Sequence, residues 1–99
     1  MSAEPEAVAR FRVTGSFSLP PPRSLFVVSG QVADGVVRRG QRVIEPAGID
    51  APVHGLEYLR LRPSSGTEER ALTFVFPDPE TLGRWKVLVQ PGIELVLAH

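Results

Sequence analysis

The sequence predicts an all-β fold: a small closed or nearly closed antiparallel β-barrel of about seven strands. Three observations predict it. Apolar residues recur at a period of two in short runs. Turn signals return every ten to fourteen residues. Three glycines, Gly30, Gly35 and Gly40, punctuate the run from Phe26 to Val43 five residues apart. That run reads as strand, tight turn, short extended piece, second tight turn and strand.

Each element can be justified in order. Met1 to Glu6 is acidic and polar and reads as a flexible head, leaving 7–99 as one domain. Ala7 to Leu19 alternates, with Arg10 and Arg12 expected outward and Phe11, Val13 and Phe17 on the opposite parity. Gly15 interrupts this strand and predicts a bulge or bend. Pro20-Pro21-Pro22 offers no backbone N–H and reads as a polyproline II loop. Leu25 to Val32 reads as a central strand, Asp34-Gly35 as a turn, and Gln41 to Glu45 as a short strand. Pro52 to Arg62 alternates after Gly55, and Pro63 to Glu69 is a polar turn region. Ala71 to Phe76 is rich in strand formers. At 78–83, Asp78 as N-cap, Pro79 at the first position and Gly83 past the end predict one short helical turn. Trp85 to Val89 and Ile93 to Ala98 read as the last strands.

Composition excludes several classes of function. Eleven basic and eleven acidic side chains cancel, so no global field draws the chain to nucleic acid or an anionic membrane. Any such affinity has to come from a local patch. Cysteine is absent, which removes disulfides, thiol catalysis and thiolate metal sites and suits a reducing cytoplasm. The polar N-terminus is unlike a signal peptide, and no apolar run approaches the roughly 20 residues of a membrane helix. Two histidines, one of them terminal, provide no recognisable metal-ligand set. No cofactor is implied.

Four segments, in order, resemble the second, β-barrel domain of translational GTPases of the elongation factor Tu type. Phe17-Ser18-Leu19-Pro20 is similar to the family's Phe-Ser-Ile-Pro. Val28-Ser29-Gly30-Gln31-Val32, with Gly35 and Gly40, is similar to its V-T-G-R-V and following glycines. Gly55-Leu56-Glu57-Tyr58 is similar to Gly-Val-Glu-Met, and Leu88-Val89-Gln90-Pro91-Gly92 to Leu-Ala-Lys-Pro-Gly. The resemblance implies a barrel that helps hold the aminoacylated end of transfer RNA and touches ribosomal RNA. It places Glu57 on a glutamate near the terminal adenosine. Thr14-Gly15 stands where the family has an acidic pair, three prolines stand where it prefers glycine, and Trp85 replaces a small residue. The nucleotide-hydrolysing part is missing: the only lysine, Lys86, follows Arg84-Trp85, so no G-x-x-x-x-G-K-[ST] loop can form and the chain binds no nucleotide in that manner on its own.

The candidate sites come from local chemistry. Arg38, Arg39 and Arg42 form the densest basic cluster, placed between turn glycines on a rim suited to gripping phosphates. The plainer reading is a solvated loop balanced by Asp34 and Glu45. Tyr58 with Arg60 and Arg62 suits base stacking, or more plainly a tyrosine under arginine stems. Arg84, Trp85 and Lys86 are candidates for partner contact if Trp85 is exposed, and core if it is not. Pro20 to Pro22 reads as a stiff loop or as a ligand for a proline-reading domain. His54 and Glu57 are three apart on a strand and point to opposite faces, so they make no acid–base pair with Ser24 or Ser29. A non-catalytic module binding RNA or ribonucleoprotein is therefore expected first, a protein-interaction module second and a small enzyme third.

Overall fold

Period-two alternation builds a sheet, and the interruptions decide its shape. The computed structural model describes residues 6–59 and 69–99. Strand β1 is Ala7–Leu19, β2 Leu25–Gly35, β3 Arg42–Glu45, β4 Gly55–Leu59, β5 Glu69–Val75 and β6 Glu94–Ala98; one helix, α1, spans Pro79–Leu88. All strand pairs are antiparallel. They form one sheet in the order β3-β6-β1-β2-β5-β4. The expected head falls outside the described residues except for Glu6.

Pairing leaves β3 and β4 as edges, so the sheet is not closed by its strands. The segment ahead of β4 makes a single link across the gap. Gly40 N–H donates to Val53 O at 2.9 Å, and Val53 N–H donates to Gln41 O at 2.8 Å. Arg42 and Pro52 form an isolated bridge there. His54 N–H then joins the same segment to Thr73 O at 2.7 Å.

The described strands number six, not about seven, because the expected strand Trp85 to Val89 is helical. Asp78 is the N-cap, its Oδ1 accepting from Thr81 N–H at 2.7 Å, and Pro79 opens the helix. Gly83 does not end the helix; it lies inside it. Burial overrides the local stop signal, since Leu82, Trp85, Leu88 and Val89 recur at helical spacing and pack on the core. Trp85 is 1% exposed. Its ring centroid lies 6.1 Å from that of Phe26 and 6.3 Å from that of Phe74. Such aromatic contacts contribute about 0.5–1.5 kcal/mol each beyond area burial. The indole Nε1 makes no hydrogen bond among the described residues, which offsets part of that gain.

The core lies on one face of the sheet. Phe11 and Val13 of β1, Phe26 and Val28 of β2, Leu72 and Phe74 of β5, and Leu95 and Leu97 of β6 are all buried. Arg10 and Arg12 face out, as the alternation requires. Gly30 brings β1 and β2 unusually close: a Cβ there would overlap the Arg12 carbonyl oxygen and crowd the Phe11 ring. The register of β1 against β2 shifts between Val13 and Gly15, the bulge that Gly15 predicts. That bulge reverses the parity of the residues after it. Phe17, expected on the core side with Phe11 and Val13, is 48% exposed on the opposite face.

Two further bounds differ from expectation. β2 continues past Val32 to Gly35, because Ala9 and Arg10 of the long β1 still offer it partners. The triple proline leads into a tight turn at 21–23 and is not an extended polyproline II segment. Ser24 N–H folds back to Pro20 O at 3.3 Å. Among the described residues, no helix is long and apolar enough to cross a membrane. None of them groups three or more His, Cys, Asp or Glu side chains suited to a metal ion.

Candidate nucleic-acid interface

The arginine loop runs from Val36 to Gln41 between β2 and β3. Its shape is set from inside by Gln41, whose residue is 2% exposed. Gln41 Nε2 donates to Val36 O at 3.0 Å, and Gln41 Oε1 accepts from Arg38 N–H at 3.0 Å. Its backbone N–H also donates to Arg38 O at 3.3 Å. The buried side-chain amide thus satisfies two backbone groups, those of Val36 and Arg38, and Arg38, Arg39 and Gly40 on the loop are exposed. Arg42, also exposed, starts β3 beside them. Asp34 and Glu45 are the counter-charges the sequence suggests. Among the described residues neither forms an ion pair with these arginines; the ion pair present is Arg10–Glu94 at 3.5 Å, on the exposed surface.

The two bonds joining Gly40 and Gln41 to Val53 place this loop against His54. Between them lies an open depression of about 420 Å³ lined by Arg39, Gly40, Ala51, Pro52, Val53, His54 and Val75. Its walls combine two cationic or donor side chains with apolar ones. No carboxylate, hydroxyl or thiol side chain lines it among the described residues. The Arg39 and His54 side chains are thus the polar side chains of the lining, beside apolar ones.

Glu57 lies elsewhere, on the face away from the core. Cross-strand partners put Glu57, Ala71, Ser29 and Gly15 in one row across β4, β5, β2 and β1. Ser29 Oγ donates to Gly15 O at 3.2 Å and lies 3.4 Å from Thr14 Oγ1. Glu57 and the Thr14-Gly15 pair therefore share a surface but stand three strand spacings apart, about 14 Å. The next row on that face carries exposed Phe17, buried Val27, buried Thr73 and Gly55, and the one after it Leu19, Leu25 and Val75. Val75 belongs to this surface and to the depression alike, which makes the two continuous.

The remaining candidates are distributed differently. Tyr58 lies in β4 opposite Arg70. Arg60 and Arg62, its expected partners, lie outside the described residues. Arg84 and Lys86 are exposed on α1, with Arg84 Nη2 donating to Thr81 Oγ1 at 3.3 Å. Trp85 between them points inward, so its side chain is core and supplies no surface contact. The sequence pattern does not reveal Gln41 as the organiser of the loop or Phe17 as a surface residue. A polar residue heading a strand after a turn glycine is the available signal for the first, and the Gly15 bulge for the second. No family model matches the chain, and no curated protein and no solved structure matches it either.

Proposed function

We propose that the chain is a non-catalytic binding module of the translation-factor barrel type that takes RNA or a ribonucleoprotein as its ligand and acts in the cytoplasm. The observation that carries this reading is the loop bearing Arg38 and Arg39, with Arg42, held outward by Gln41 and without a carboxylate partner among the described residues. Unpaired guanidinium groups on a preformed rim release counterions when they meet phosphates, so association depends on salt. Exposed Phe17 adds an aromatic face of the kind on which bases stack. Zero net charge confines this attraction to the rim.

The test is a low-salt pull-down from native lysate, with and without nuclease, followed by salt titration of the retained RNA. Arg38→Ala with Arg39→Ala is expected to weaken association and to flatten the slope of log affinity against log salt by about 1.5. Retention of a protein partner after nuclease and at high salt would overturn RNA as the primary ligand. Exposed Phe17 and Val75, with half-buried Leu19 and Leu25 beside them, favour that second reading and are where such a partner would seat.

A further inference from the structure

We propose that the depression between Arg39 and His54 is a single-nucleotide subsite, holding one phosphate on those two side chains and the attached nucleoside against the apolar wall. The inference rests on the RNA-binding reading and names the unit that the module grips. Volume is the first argument: about 420 Å³ lies in the range of small-ligand sites and exceeds what a bare phosphate needs. Chemistry is the second. The Arg39 guanidinium offers a planar fork of donors that matches phosphate oxygens, and the His54 imidazole carries an N–H donor in either protonation state. Ala51, Pro52, Val53 and Val75 complete the lining with apolar surface, which suits a ring rather than a second charge.

Preorganisation is the third argument. The loop wall is fixed to the Val53 wall by two backbone hydrogen bonds, and His54 is fixed to β5 by a third. Gly40 has φ +87, and a Cβ there would meet nothing within 4 Å, so the loop leaves open space on that side. The backbone of both walls is therefore set before the ligand arrives, and the exposed Arg39 and His54 side chains are what the ligand orders.

Nuclear magnetic resonance titration of the whole protein tests this, with uridine 5′-monophosphate as probe and uridine and inorganic phosphate as separate arms. The nucleotide is expected to shift the amides of Gly40, Val53, His54 and Val75. Uridine alone leaves them in place, and inorganic phosphate binds at least about tenfold more weakly. Arg39→Ala and His54→Ala each raise the nucleotide Kd about tenfold or more, whereas Arg12→Ala, on a remote exposed position, leaves it unchanged. Unchanged dispersion of the remaining amides shows that the variants are folded. Shifts confined to other residues, equal binding by His54→Ala, or inorganic phosphate binding as tightly as the nucleotide would each overturn the subsite. If RNA is retained with its full salt slope while the nucleotide never reaches the depression, the subsite falls and the arginine rim stands. If the nucleotide seats there but lysate RNA is not retained, the RNA reading falls and the pocket stands as a small-nucleotide site.

Discussion

Gln41 shows how much one side chain decides. Both ends of its amide are used, and the residue is almost fully buried. Gln41→Leu keeps the size but leaves Arg38 N–H and Val36 O without this partner, and is expected to cost about 1–2 kcal/mol in urea unfolding. Gln41→Glu sets an acceptor against the Val36 carbonyl oxygen in a buried place and should cost more, about 3 kcal/mol. Gly30→Ala belongs to another class, since the atom in its way is backbone. It should lower stability by about 3 kcal/mol, measured the same way, with β1 and β2 forced apart. At this scale the sequence is readable where alternation is unbroken: Arg10, Phe11, Arg12 and Val13 sit as their parity requires. Gln41 is not readable, because its role depends on two carbonyl and amide groups placed by a loop whose path the pattern does not state.

At the scale of the element, α1 is the informative case. Its cap is legible in Asp78 and Pro79, and its end is not, because Gly83 carries the ordinary signature of a stop. The overlooked signal is the spacing of Leu82, Trp85 and Leu88, which only a helix places on one face. Gly83 meets open space, so Gly83→Ala is expected to raise stability by about 0.8–1 kcal/mol, seen as a higher midpoint in urea. The cap also titrates. The hydrogen bond from Thr81 N–H, the largest cause, holds the Asp78 carboxyl below its ordinary value of 3.8, with the Thr81 side chain and the Arg84 charge acting in the same direction. A lowered folded pKa means that the contribution is complete above the unfolded value and is lost as pH falls through the folded one. Asp78→Asn keeps a capping oxygen and removes the titration. Its melting temperature should lie below that of the parent near neutral pH and converge with it in strong acid.

For the whole molecule, β character and antiparallel order are legible from turn spacing, whereas closure is not. Closure depends on which segment faces β3 across the gap, and that is set by long-range backbone pairing. Among the described residues the answer is a pair of hydrogen bonds at Val53 and no full strand ladder. If these bonds unite the two sheet edges into one cooperative unit, the amides of Gly40, Val53 and His54 exchange with solvent at the rate of global unfolding. Native-state hydrogen exchange checks this, and fast exchange at Gly40 and Val53 beside slow exchange in β2 would show the edges opening independently. The same coupling matters for binding, because the arginine loop and the His54 segment meet at those bonds.

The Gly15 bulge makes β1 a strand with two phases. Ahead of it the odd-numbered residues Ala9, Phe11 and Val13 are interior; behind it Phe17 is exterior, although the numbering keeps the same parity. Deleting Thr14 would remove the bulge and leave one unbroken alternation, in which Val13 stays inward opposite Gly30 and Phe17 stays outward opposite Val27. The thirteen residues of β1 therefore carry two messages in sequence, one addressed to the core and one to whatever meets the outer surface, and a single unpaired residue is the punctuation between them.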